Sequence, residues 1–126
     1  MFVRFIVLEK DEDSNHEKGL FMAAYDLKDE GLLSKDELDW LKGITIWFDK
    51  HLEAPDRLSR SSRAHAHKNA ISWFKDSAHE HIAKMWELKT FLEYHGITTK
   101  MIKTDKPSYI VYEDDYQVTS VPFRKD

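Results

Sequence analysis

The segment "FVRFIVLE", residues 2–9, carries apolar side chains on both faces of an extended chain. Phe2, Ile6 and Leu8 fall on one face and Val3, Phe5 and Val7 on the other, with Arg4 the single exception. A strand of this kind has no natural solvent face, so it predicts an interior strand covered on both sides. The rest of the chain must supply the cover.

Three helical patterns follow, each opening with Ser-x-x-Glu: Ser14 with Glu17, Ser34 with Glu37, and Ser77 with Glu80. In such a box the serine hydroxyl accepts from a free amide of the first turn while the glutamate reaches back to the cap amide. The spacing predicts a first helix over about 15–30, with Leu20, Ala23, Ala24 and Leu27 inward and Gly31 as a left-handed stop. A second, over about 35–52, has Leu38, Leu41, Thr45, Phe48 and Leu52 on one stripe, flanked by Trp40, Ile44 and Trp47. A third, over about 78–95, turns Ala78, Ile82, Met85, Leu88 and Leu92 inward and stops at Gly96. "AISWF" before it, and "ITTKMIK", "SYIVY" and "YQVTSVPF" after it, read as strands joined by the turn-forming "TDKP" and "EDD". The near-repeat of "TIWFDK" and "ISWFKD" is read as chance, one lying late in a helix and the other before one.

The resulting order predicts a single α+β domain over 1–126, with three helices packed on a small mixed, largely antiparallel sheet. At 126 residues one core is the default, and 16 aromatics supply enough apolar surface to close it without staples. Cysteine is absent, which excludes thiol chemistry and fits a cytoplasmic address. The N-terminal apolar run is too short for a signal peptide or a membrane span and ends in acids.

The formal charge is −4, yet "RLSRSSRAHAHK", Arg57 to Lys68, holds four Lys/Arg, two histidines and no acid. Without it, 15 basic residues face 23 acidic ones, so the segment is a basic island. It lies in a predicted surface loop over 53–69, and loops that long inside a compact domain are usually functional or disordered. Arg57, Arg60, Arg63, His65, His67 and Lys68 therefore form the candidate ligand-binding set. Arginine forks grip phosphate or carboxylate, and histidine adds charge or moves protons near neutral pH. The alternative is a solvated loop whose charge pairs with acids elsewhere on the surface.

Other motifs carry less. His79 and His81 flank Glu80 like metal ligands, but residues two apart on a helix point about 200° apart, whereas chelation needs a spacing of four. His81 is placed beside the buried stripe and His79 near Ile82 and Trp86. The acids Glu9, Asp11, Glu12 and Asp13 follow the first strand, where carboxylates can hold Mg²⁺, but they also precede a helix start whose positive end they complement. The further donors such a site needs, Glu113, Asp114 and Asp115, fall in a hairpin turn. No Gly-rich phosphate loop, nucleophile elbow or dinucleotide fingerprint occurs, so no cofactor is expected.

The segments "EKDEDS" with "GLFMAAYDL", "ISWFKDSAHEHIAKMWEL" and "YIVYEDDYQVTSVPF" resemble a family of short bacterial proteins without an assigned activity. The resemblance spans nearly the whole chain, implies a bacterial cytosolic protein and carries no site residue across. The expected function is a non-enzymatic module that recognises an anionic partner (phosphate, nucleotide or RNA) or a protein through the basic loop, away from membranes. The alternative is a metal-independent ribonuclease or phosphodiesterase, with His65 and His67 as base and acid and Arg63 stabilising the transition state.

Overall fold

The structure is a computed structural model and describes residues 1–10, 17–53 and 70–121. Among them are six strands and three helices: β1 (Phe2–Lys10), β2 (Glu17–Gly19), α1 (Leu20–Asp29), α2 (Lys35–His51), β3 (Ile71–Lys75), α3 (His79–Tyr94), β4 (Thr99–Thr104), β5 (Tyr109–Glu113) and β6 (Gln117–Val121). The strands form an open, mostly antiparallel sheet in the order β2-β1-β3-β6-β5, with β4 on β1. The α+β class is as the hydrophobic periodicities predict. The chain clusters into two compact units, one of Met1–Arg4, Ala54–Ile82 and Met101–Asp126, the other of Phe5–Glu53 and Ala83–Lys100.

In the second unit, Phe5, Ile6 and Val7 of β1 are buried, as an interior strand requires, whereas Leu8 is 62% exposed against expectation. Leu20, Ala23, Ala24 and Leu27 of α1, Leu41, Ile44 and Phe48 of α2, and Met85, Leu88 and Leu92 of α3 complete the core. Each fully buried leucine contributes about 2 kcal/mol of transfer free energy. Aromatic contacts join these elements: Phe21 meets Phe48 edge-on at 5.1 Å, Phe5 of β1 meets Trp86 edge-on at 5.6 Å, and Trp40 lies tilted 4.8 Å from Phe91.

The three expected caps meet different fates. At α2 the box forms in full: the Glu37 amide donates to Ser34 Oγ at 3.2 Å and the Ser34 amide to Glu37 Oε1 at 2.9 Å. At α1 it does not form. Glu17 to Gly19 are drawn into β2, with Gly19 opposite Ile6 and Glu17 opposite Lys10, and the helix starts at Leu20 from an extended Gly19 that has no side-chain cap. Ladder bonds to β1 have outcompeted the local box, and Ser14 lies outside the described residues. At α3 the first helical residue is His79, so buried Ala78 holds the cap position and Ser77 sits in the preceding turn.

The C-terminal stops of α1 and α3 are built alike. Gly31 and Gly96 take φ of +73° and +81°, and Leu32 N–H and Ile97 N–H reach back to the carbonyls of Leu27 and Leu92, each at 3.0 Å. Gly31 N–H and Gly96 N–H bond Lys28 and Glu93, which completes the Schellman pattern. The near-repeat indeed splits between two structures, Thr45–Lys50 within α2 and Ile71–Lys75 as β3.

Ser34→Ala is therefore expected to lower stability by about 1 kcal/mol, the usual worth of a formed cap, and Ser77→Ala by only a few tenths. Urea melts of the two variants decide it, and equal losses would place a working cap at Ser77.

Candidate functional site

Strand β3 pairs with β6 through Ile71↔Ser120, Ser72↔Thr119, Trp73↔Val118 and Phe74↔Gln117. Side chains alternate across a sheet, so this register puts Ile71, Trp73, Lys75, Val118 and Ser120 on one face and Ser72, Phe74, Gln117 and Thr119 on the other. The pairs Phe2↔Lys75 and Val3↔Phe74 bring β1 alongside. On the Trp73 face, Lys75 Nζ bridges Glu113 Oε2 at 2.7 Å.

At the other end of that face lies a cleft of about 100 Å³. Ile71, Trp73, Ser120 and Val121 form its sheet side, and Lys106, Pro107 and Ser108 of the β4–β5 turn form the opposite wall. Ser108 takes φ of +85°, a left-handed conformation that costs a non-glycine residue about 1–2 kcal/mol. The turn holds through the amide of Lys106, which donates to Thr104 Oγ1 at 3.1 Å. No acid lines the cleft, and the Lys106 ammonium makes no ion pair among the described residues. The other three tryptophans are committed to ring contacts: Trp40 to Phe91, Trp47 to Phe48 and His51, and Trp86 to Phe5. Trp73 has none among the described residues and is half-buried at the cleft.

A volume near 100 Å³ is well below the several hundred a whole cofactor or drug-sized substrate occupies, and corresponds to about three waters of liquid. The cleft can take one end group of a ligand. Its lining offers one lysine without an ion pair among the described residues, with serine hydroxyls and no carboxylate, a set that complements an anionic or acceptor group.

The opposite face is closed by histidine and acid chemistry of a structural kind. His81 is 4% exposed, with its ring 4.5 Å from Tyr116 and 6.1 Å from Phe74, while His79 is exposed. The pair diverges as helix geometry requires. Asp114 sits in the β5–β6 turn and accepts from Tyr112 Oη at 2.7 Å, the amides of Tyr116 and Gln117 at 2.8 and 3.0 Å, and Gln117 Nε2 at 3.1 Å. Burial opposes its ionisation, but the Tyr112 hydroxyl and the other donors outweigh that and hold its carboxyl below the usual 3.8. Asp114 thus serves the turn.

Arg57, Arg60, Arg63, His65, His67 and Lys68 lie outside the described residues, as do Asp11, Glu12 and Asp13 and the side chain of Glu9. What the sequence reading missed is the Trp73–Lys106 cleft. Its available signal was weak: "ISWF" and "TDKPS" are 30 residues apart, and only strand pairing brings them together. Comparison of the chain with protein-family models, with curated proteins and with solved structures returned no match. No helix among the described residues is long and apolar enough to cross a membrane.

Two outcomes follow from this side-chain environment. His81→Ala should cost about 2 kcal/mol in a denaturant melt and His79→Ala less than 0.5, roughly, because only His81 fills buried space. Asp114 contributes stability that is full above its unfolded value near 3.8 and is lost as pH falls through its lower folded value. Urea melts between pH 2 and 5 should therefore show an acid-side loss that Asp114→Asn flattens, with lower stability at pH 7.

Proposed function

We propose that this chain is a small cytosolic, non-enzymatic module that recognises an anionic partner, with the basic segment Arg57–Lys68 supplying the electrostatic attraction. The observation that carries the reading is the join between that segment and the sheet. Residue 70 leads directly into β3, whose first residue, Ile71, is a wall of the acid-free cleft that holds Lys106. The end of the basic stretch, Lys68, is thus three residues in sequence from a wall of the cleft where Lys106 makes no ion pair among the described residues, in a protein whose net charge is otherwise negative. Small cleft volume favours binding over turnover, since it cannot enclose a substrate together with the groups that would act on it.

The test is a salt-dependent titration of the full-length protein with a short single-stranded RNA. Binding should weaken as salt rises, and the triple variant Arg57→Ala, Arg60→Ala, Arg63→Ala should bind more weakly with a log–log salt slope smaller by roughly 2, about 0.7 per lost phosphate contact. An unchanged slope would remove the segment from the interface. RNA cleavage that persists in EDTA and disappears with His65→Ala would replace this reading with a ribonuclease.

A further inference from the structure

We infer that the Trp73–Lys106 cleft is a nucleotide-unit site: the indole of Trp73 stacks on the base, and the Lys106 ammonium with the Ser108 hydroxyl takes the phosphoryl group. This deepens the anion-recognition reading and rests on it. Three independent features converge on this place. First, Trp73 is the tryptophan that finds no aromatic partner among the described residues, while Trp40, Trp47 and Trp86 each do. A half-buried indole beside a cleft offers a flat apolar surface to a ligand.

Second, the donors around it are unspent. Lys106 is exposed and unpaired among the described residues, and Ser108 and Ser120 line the same space without a carboxylate among them. Elsewhere in this unit polar groups are matched: Ser72 Oγ meets Thr119 Oγ1 at 3.0 Å, and Gln117 is held by Asp114. Third, the backbone at Ser108 adopts φ of +85° at the cleft wall, a cost that a merely connecting turn would avoid with glycine.

A ligand that satisfies all three needs a planar apolar face and one anionic group a few ångströms away. Inorganic phosphate supplies only the second and a nucleoside only the first. A nucleoside monophosphate supplies both, and the cleft volume admits one such end group with the remainder of the ligand outside. A single-stranded nucleic acid would present the same unit repeatedly.

The experiment titrates full-length protein with AMP, adenosine and inorganic phosphate, following tryptophan emission and ¹H–¹⁵N spectra. AMP should bind more tightly than either fragment and quench the emission component that Trp73→Phe removes, with intermolecular NOEs from the adenine H8 or H2 to the Trp73 indole. Trp73→Leu should weaken AMP about tenfold, the worth of one base–aromatic stack, and leave phosphate unchanged. Lys106→Gln, in an exposed turn, should weaken AMP and phosphate but not adenosine. The NOEs in the wild-type protein decide the matter even if a Trp73 variant folds poorly. Phosphate binding as tightly as AMP, shifts that bypass Trp73 and Lys106, or tighter binding of N-acetylphenylalanine than of AMP would each overturn the inference. If RNA binding falls in the triple arginine variant while AMP leaves Trp73 untouched, the anion-recognition reading stands and the nucleotide site falls.

Discussion

The four-residue register between β3 and β6 decides which side chains of the first unit meet. With Ile71 opposite Ser120 and Phe74 opposite Gln117, Trp73 and Ser120 share the cleft face, while Phe74 shares the other with the Ser72–Thr119 hydroxyl pair. A slip of one residue would exchange the faces and separate the paired hydroxyls of Ser72 and Thr119. Strand β6 resists such a slip because all five of its residues are buried, so either face has a packed environment to lose. The Asp114 turn pins its N-terminal end, and on its far edge β5 accommodates an extra residue, the buried Val111, between the Ile110↔Ser120 and Tyr112↔Thr119 pairs. That bulge shifts the edge strand without disturbing the β3–β6 pairing.

Polar groups are used differently in the two faces of this sheet. A buried donor or acceptor left without a partner costs about 1–3 kcal/mol, which explains why Gln117, 2% exposed, is tied to Asp114 and why Thr119 is paired across the strands. Lys106 and Ser108 at the cleft escape that cost because they are exposed to solvent. Thr99 Oγ1 on β4 is buried without a hydrogen-bond partner among the described residues.

In the second unit one carboxylate does two tasks. Glu37 Oε1 completes the cap of α2, and its Oε2 lies 2.5 Å from Nε2 of His95, the residue that follows the last turn of α3. The Ser34 amide, followed by the His95 ring, holds the Glu37 carboxyl below its usual 4.5. A local helix-start signal thereby becomes a tie between two helix ends, reinforced by the Trp40–Phe91 contact one turn inward on each. The histidine also packs edge-on against Phe91 at 4.9 Å.

Much of this fold was legible in the chain itself, because the signals involved are local. Hydrophobic periodicity located the three helices and five of the six strands among the described residues, and the glycines at 31 and 96 marked the stops of α1 and α3, since a left-handed residue needs no tertiary partner. The divergence of His79 and His81 followed from helix geometry alone. What required tertiary structure was every outcome in which a distant segment competes with a local preference. Glu17–Gly19 joined β1 rather than a helix cap, Ala78 displaced Ser77 from the cap position of α3, and Leu8 stayed in solvent while Phe5, Ile6 and Val7 of the same strand are buried. The cleft belongs to the same class: Trp73 and Lys106 each look ordinary in their own segments, and only the pairing of β3 with β6 and the course of the β4–β5 turn set them beside each other, neither with a ring or ion-pair partner among the described residues.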